Sequence, residues 1–486
     1  MRGQGPAAEW ITGRGGSRLS RRRLLHGGLV AAGATVAAGV LSACSGGASG
    51  PGASGSAAPA VADNQTVVVW NPISSYWAMP AQTTIALVDR ALAPFLAKNR
   101  GLRLKSAGPM QNTATTENAI LGGTAPDVFP DNNIAPYLEK GLLLDLSKYM
   151  RQDNVSTNLF ATSQMAKFSK LGTVYALPSY IGTTVMLVNQ GILDGVGLTY
   201  PQPDWTYQQW TTLFQATTKG LGSKRRYGTS IFGGIGTAFY YHGFGASIVD
   251  PADPRKCGLG QPGAVAAANW ITGLLKPQIA FNNGGGQQHT QQLFKASQVA
   301  APVLWIQMLP HWVPVLQGMK WDLYQMPLWP TQPATFANSD FWAISGNTKV
   351  PDAAWALLKE ICVGRAYSDL LMKVALFPPG LKSLWPSWVA TVKAVAPPLR
   401  NKNLEVFAQY VLTNHAYPGL DFAYGNATAR SLLASDLNRI VSGQVSAQLG
   451  LQQAVARVNA YEAAAASAAA PVAKGVIDQF PQAAGG

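Results

Sequence analysis

Along the chain, short apolar runs alternate with stretches whose apolar positions recur three and four residues apart. Thr66-Val67-Val68-Val69-Trp70 is a β-branched run closed by an aromatic residue, and it predicts a strand. Beyond a polar turn at Asn71-Pro72, the apolar residues Ile85, Val88, Leu92, Phe95 and Leu96 fall at helical spacing. Asn99-Arg100-Gly101 ends that helix, and Leu102-Arg103-Leu104-Lys105 alternates as a second strand. A short helix over residues 117–121 and a turn at Gly122-Gly123-Thr124-Ala125-Pro126 lead into a third strand, Asp127-Val128-Phe129. Strand, helix, strand, helix, strand predicts a mostly parallel sheet covered by helices, an α/β fold.

The texture changes after Leu171. Residues 173–178 and 184–189 are two extended runs in succession, which predicts a crossing from one lobe to another. Residues 205–219 read as an amphipathic helix and residues 299–306 as one buried strand. Phe341-Trp342-Ala343-Ile344-Ser345 is again strand-like, and the remainder from Pro351 is mainly helical. Pro351 and Asp352 open a helix in which Trp355, Leu357, Leu358 and Ile361 keep the helical period, with proline tolerated in the first turn.

The first 43 residues follow a different rule. Ser20-Arg21-Arg22-Arg23-Leu24-Leu25 precedes an uncharged run rich in Gly, Ala, Val and Leu that ends at Leu41-Ser42-Ala43-Cys44. A basic segment, a short apolar segment and a small-residue cleavage site make an export signal over residues 1–43, and the paired arginines point to the twin-arginine route. The apolar part is too short and too rich in Gly and Ala to match the roughly 20 apolar residues of a spanning helix. The segment resembles a bacterial lipoprotein signal with Leu-Ser-Ala-Cys as its lipobox, which would make Cys44 the lipidated first residue, palmitate among its acyl chains. Residues 45–62 contain only Ser, Gly, Ala, Pro and Val, so residues 44–63 form a lipidated Cys and a flexible tether.

Composition narrows the class of the 443 residues that remain, a length sufficient for two lobes with separate cores. Only 12% of the chain is charged, while 47% is hydrophobic and 14 residues are Trp, the mark of an aromatic-rich interior or cleft. The formal charge of +14 falls to +9 once the signal is removed. In the body the one tight basic cluster is Lys224-Arg225-Arg226, read as a solvated loop, so nucleic acid is not an expected partner. The mature histidines His242, His289, His311 and His415 lack zinc-type spacing, and neither a metal nor another cofactor is implied. No G-x-S-x-G elbow occurs, and Gly233-Gly234-Ile235-Gly236 and Gly284-Gly285-Gly286 match no phosphate loop. Cys257 and Cys362 either form one disulfide or stay as buried thiols; both readings are open.

Several segments in order carry a resemblance: the strand ending in Trp70; Gly123-Thr124-Ala125-Pro126-Asp127-Val128-Phe129; Leu138-Glu139-Lys140-Gly141-Leu142-Leu143-Leu144-Asp145-Leu146; Ala176-Leu177-Pro178-Ser179-Tyr180 with Leu187-Val188-Asn189; and residues 341–345 leading into Pro351-Asp352-Ala353-Ala354-Trp355. Over most of the mature chain they resemble the sugar-type, maltodextrin-binding-like (family 1) solute-binding lipoproteins of bacterial ABC importers. The resemblance implies a periplasmic-binding-protein-like fold of type II, two α/β lobes with a hinge and an interlobe ligand cleft. It places residues 64–178 and 329–347 in lobe 1 and residues 179–328 and 348–486 in lobe 2, with crossings near 177–183, 325–330 and 346–350. It implies a monomer on the outer face of the cytoplasmic membrane. This monomer is not an enzyme but captures a small solute, a mono- or oligosaccharide, and delivers it to the permease subunits. The alternative is an exported lipoprotein enzyme acting on carbohydrate, for which no local carboxylate pair stands out.

Ligands of doubly wound sheets meet the carboxyl ends of strands, which selects Trp70 and Asn71 after the first strand and Asp131 and Asn132 after the third. The resemblance adds Tyr180 at the first crossing and Asn338 and Ser339 before the last strand of the first lobe. Trp305 is the candidate aromatic of the second lobe, although the family's Gly-x-Trp motif lacks its glycine here. Ala337-Asn338-Ser339-Asp340 stands where paired glycines are frequent, so bulkier side chains either narrow the cleft or touch ligand. Aromatic planes suit the C–H faces of sugars, and amides and carboxylates suit their hydroxyls. Each residue also has a structural reading: Trp70 as packing, Asp131 and Asn132 as caps of a helix beginning near Ile134.

Overall fold

The strands Val128–Asp131, Gly182–Asn189 and Phe341–Ile344 are buried on both faces. In the computed structural model, residues 65–479 are described apart from 72–80, 110, 171, 233, 284–286, 413–415, 418–421 and 423–425. The export signal, Cys44 and the tether lie outside the described residues. β1 (Gln65–Asn71), β2 (Leu102–Pro109) and β3 (Val128–Asp131) are parallel in the order β2-β1-β3, joined by the helices Ala81–Lys98 and Thr113–Leu121. A small hairpin of β4 (Ser169–Lys170) and β5 (Thr173–Val174) precedes β6 (Ala176–Pro178). The chain then leaves this first sheet for β7 (Gly182–Asn189), which organises the second half.

There β8 (Tyr227–Ile231), β9 (Ala280–Asn282) and β10 (Val299–Ala301) form a parallel sheet, β10-β8-β9. β11 (Val303–Trp305), β12 (Trp321–Tyr324) and β13 (Thr335–Asn338) all pair with β7 antiparallel. β14 (Phe341–Ile344) returns to the first sheet between β3 and β6, antiparallel to both, and β15 (Ala416–Tyr417) adds to β13. The expected mostly parallel arrangement thus holds for β2-β1-β3 and β10-β8-β9 but not around β7. The expected single strand over 299–306 is divided by Pro302, which has no N–H for a ladder, and its two parts join different sheets.

Alternation explains the layers. On β14, Phe341 and Ala343 pack with Phe129 and Tyr137 on one face, while Trp342 and Ile344 pack with Val67 and Val128 on the other. On β7, Met186 and Val188 face the cluster that holds Trp210 and Phe239, and Val185 and Leu187 face the one that holds Trp312 and Trp385.

The first expected crossing, near 177–183, coincides with the passage from β6 to β7. The other two lie elsewhere. The return runs from Asn338 to Phe341, because β12 and β13 both stay on β7 and Trp329 is buried in the second half. Residues 346–350 make a turn within the first half, where Gly346 N donates to Leu142 O and Ser345 N to Asp127 O. The helix Pro351–Val363, expected in the second lobe, buries Ala354, Trp355 and Leu358 in the core shared with Val67 and Trp342. Helical periodicity shows that a helix has an apolar face without showing which sheet that face covers. The third passage lies at 378–380, where Ile181 N donates to Pro378 O and Gly380 N to Ser179 O. Beyond it the helix Trp385–Val395 packs on Leu187 and Leu323.

Cys257 and Cys362 are both free and buried, in separate cores. Burial pushes the Cys257 thiol up to about 11 and raises that of Cys362 as well, so neither forms thiolate readily. A chain starting at residue 45 should show no thiol reactive toward a disulfide reagent at pH 8 while native, and two after unfolding in guanidinium without reductant. A count of zero in the unfolded chain would mean that the two are bonded.

Candidate solute site at the sheet crossing

The carboxyl ends of β1, β3 and β6 and the start of β14 converge on one edge of the first sheet. The register fixes this: Val69 lies beside Val128, Phe341 beside Asp131, and Phe341 also beside Pro178. At that edge the chain passes three times between the halves. Asp131, Tyr180, Asn338 and Ser339 are therefore brought together, and Trp70 and Asn71 end β1 at the same edge. Of Trp70, Asn71 and Asn338 only the backbone is described.

Asp131 is 2% exposed, and its carboxylate is fully engaged. It accepts from Asn132 N at 2.6 Å, Asn133 N at 3.1 Å, Thr113 Oγ1 at 3.1 Å and Tyr137 OH at 2.5 Å. Burial raises the carboxyl above the usual range, and these four donors oppose the rise. Burial, then the neighbouring carboxylate, push the Tyr137 phenol far up as well. Asp131 is thus a knot tying the end of β3 to the helices Thr113–Leu121 and Ala135–Glu139. The expected cap is not made in the usual way: the amides it binds precede the helix, and the N-cap residue is Ile134, with no side-chain bond. Asn132 is half-buried, and its carbonyl accepts from Lys167 Nζ at 3.3 Å.

Tyr180 and Ser339 are equally enclosed. The Tyr180 ring lies 4.9 Å from that of Phe377, its carbonyl accepts from Gln164 Nε2 at 3.1 Å, and its hydroxyl donates to Asp340 Oδ1 at 3.1 Å. Ser179 donates through both N and Oγ to Asp340 O, each at 3.2 Å. Asp340 was not singled out by sequence, although it ends the very stretch noted for its missing glycines. Its carboxyl is pushed up to about 7, first by burial; Tyr180 opposes the rise, Asp131 adds to it, and Lys167 opposes it.

Trp305 ends β11 opposite Thr184, two residues into β7 from the crossing. It is half-buried, lies against Phe336 at 5.5 Å with the rings 25° apart, and meets Phe232 at 5.2 Å. Its indole Nε1 has no hydrogen-bond partner in the protein. Phe336 was also missed, but the pairing explains it: Ala337 lies opposite Thr183, so Phe336 falls beside Thr184 and shares a face with Trp305.

In the basic cluster Lys224 is exposed, while Arg225 and Arg226 are partly buried and hydrogen-bonded to backbone. Arg225 donates to Gly220 O at 2.8 Å, Pro277 O at 2.8 Å and Gln278 O at 2.7 Å, and Arg226 Nε to Thr217 O at 2.6 Å. These carbonyls lie just past the helix Pro262–Leu275 and at the end of the helix Tyr207–Thr217, where backbone acceptors need partners and cations are favoured. Two guanidinium groups therefore hold the ends of two helices.

Two α/β halves connected by adjacent strands at the carboxyl edge of one sheet define a type II periplasmic-binding-protein fold of the maltose-binding kind. Solved structures agree. The cyclic α-maltosyl-1,6-maltose binding protein of Arthrobacter globiformis superposes with a TM-score of 0.66 at 16% identity, over 82% of this chain and 99% of that one. An ABC substrate-binding protein of Listeria monocytogenes in complex with cycloalternan gives 0.63 at 17%, over 82% and 99%. The GacH receptor of Streptomyces glaucescens, solved with acarbose, gives 0.63 at 18%, over 82% and 98%. No curated protein sequence is significantly similar to the chain. Residues 90–396 match the bacterial extracellular solute-binding protein family, and the chain belongs to that family. It is accordingly an exported solute-binding protein.

Replacing Asp131 by Ala would leave two hydroxyls and two amides enclosed without an acceptor, a loss of about 2–4 kcal/mol in stability. Tyr137→Phe, which removes one donor, should cost about 1 kcal/mol. Urea unfolding of the two variants checks both figures, and an unchanged midpoint for Asp131→Ala would show that the knot contributes nothing to the fold.

Proposed function

We propose that the chain is the solute-capturing component of an ABC importer and that its solute is a mono- or oligosaccharide bound between the halves beside the crossing. The observation that carries this reading is the Trp305–Phe336 pair, a partly exposed aromatic surface two residues from the point where the halves join. Such a surface suits the apolar C–H face of a pyranose, and the unpartnered Trp305 Nε1 supplies a donor once local movement exposes it. Cycloalternan, acarbose and cyclic α-maltosyl-1,6-maltose, named for the structurally similar proteins, are all oligosaccharides or their analogues, which favours α-linked glucosides as first probes. Trp70, Asn71, Asn132 and Asn338 stay as proposed contacts at the same edge, while Asp131, Tyr180 and Ser339 support it from beneath. Any lobe that closes on the solute does so by preferential binding to the closed state.

The rest of the assignment follows from the amino-terminal segment. Cys44 would carry the lipid, and a tether of this length lets the body range about 25 Å from the membrane surface. The permease is then the membrane partner, with the protein acting as a monomer. The twin-arginine route suits a body whose two buried cysteines are thiols, since folding needs no oxidation. The enzyme alternative has less support: Asp131 and Asp340 are both buried and both accept hydrogen bonds from tyrosine hydroxyls of the protein itself.

Thermal unfolding with maltose, maltotetraose, acarbose and a cyclic α-glucan should show a rise in Tm for at least one of them, growing with concentration above Kd. For that ligand Trp305→Ala should weaken binding about tenfold or more, on the order of 1.4 kcal/mol, with a smaller change in ligand-free Tm. No shift with any sugar, together with turnover of a glycan, would remove the binding reading.

A further inference from the structure

The crossing contains one carboxyl group. Among residues 178–182, 338–341 and 376–381, the only acid is Asp340. It is 6% exposed, its backbone carbonyl is held by Ser179, and its side chain takes the Tyr180 hydroxyl from the opposite strand. A carboxyl at this place links two of the three passages whose backbone must turn if the halves move. The charged and titratable groups facing it are Tyr180 on the same crossing, Asp131 at the end of β3, Lys167 on the helix Thr162–Phe168 and Tyr367 on the helix Arg365–Leu370. Among the described residues, one cation and one competing carboxyl leave its charge poorly balanced, and a single phenol is its side-chain donor.

We propose that Asp340 makes the crossing a proton-sensitive joint: the neutral carboxyl holds the two halves in the described arrangement, and ionisation favours an arrangement that admits water to it. The physical reason is that enclosure penalises the charged form, and rotation at the crossing would relieve the penalty by admitting water. The described arrangement brings the helix Ala135–Glu139 of the first half close to the helix Asn426–Val441 of the second, so relief by rotation separates elements that now approach.

The sign follows from the raised value. At low pH the group is neutral in every state and costs nothing. As pH rises from its ordinary 3.8 toward about 7, a hydrated Asp340 loses its proton while the enclosed one keeps it. Stabilisation of the enclosed arrangement therefore declines through that window and is lowest above it. If the halves enclose a solute, as proposed above, capture in the same window takes up a proton, and affinity falls as pH rises.

Small-angle X-ray scattering of the solute-free protein between pH 5 and 8.5 tests the joint apart from the sugar assignment. The radius of gyration should rise with pH in the wild type, and Asp340→Asn should keep the low-pH value throughout. An invariant wild-type radius, or the same rise in Asp340→Asn, would overturn the proposal. Should that variant fail to fold, Tyr180→Phe decides: losing the donor that stabilises the enclosed carboxylate must enlarge the rise in radius at high pH or bring it to lower pH, and neither change, or a rise displaced to higher pH, overturns it. Maltotetraose added at pH 5.5 and 8.5 tests the linked clause, because tighter binding at pH 8.5 would contradict it. Absence of binding at both pH values would count against the sugar assignment and leave the scattering result standing.

Discussion

The need to satisfy backbone hydrogen bonds where the chain passes between two cores governs much of this structure. A single connecting strand would carry buried N–H and C=O groups without partners. Here three passages lie side by side and pair with one another: Ser179 with Asp340, Ile181 with Pro378, Gly380 with Ser179, and Asn338 with Gly182. Order of this kind forces the chain to return once to the first half, where β14 and the helices that follow it stay until residue 378. The interleaved topology, the position of Asp340 and the convergence of strand ends all follow from that arrangement.

Electrostatics at the crossing are dominated by enclosure. Asp131 and Asp340 come near one another, yet they are treated differently. Asp131 has four donors and fixes local geometry; Asp340 has one phenol and is left easier to protonate. Two acids a few residues from the same edge thus differ in how far hydrogen bonds offset their enclosure. On the second half the corresponding surface is aromatic, with Trp305 and Phe336 held in register by β7.

Much of this was readable from residue order. β1, β2, β3, β7 and β14 fall within a residue or two to four of the apolar runs that predict them, because alternation and β-branching report local backbone preference directly. What was not readable depends on tertiary partners. Pro302 sits inside an apolar run, and only the sheets themselves decide that its two sides part company. The helix Pro351–Val363 carries a clear apolar face whose destination is set by the passage that follows it. Asp131 is legible as a residue at a strand end, but its engagement comes from Thr113 and Tyr137, which the sequence separates from it by 18 and 6 residues. Arg225 and Arg226 looked like a charged loop because nothing local reveals that two helices end beside them.

The short strand β14 has a consequence for the order in which the protein can be built. It occupies the middle of the first sheet, between β3 and β6, yet it is made about two hundred residues after β3. Until residue 344 has left the ribosome, β3 and β6 present unpaired edges, and the first half has no complete core. Loop closure over that separation is slow relative to local helix formation. The amino-terminal half therefore cannot mature as an independent co-translational unit, and a nascent chain arrested before β14 would be a candidate for chaperone capture rather than a stable intermediate.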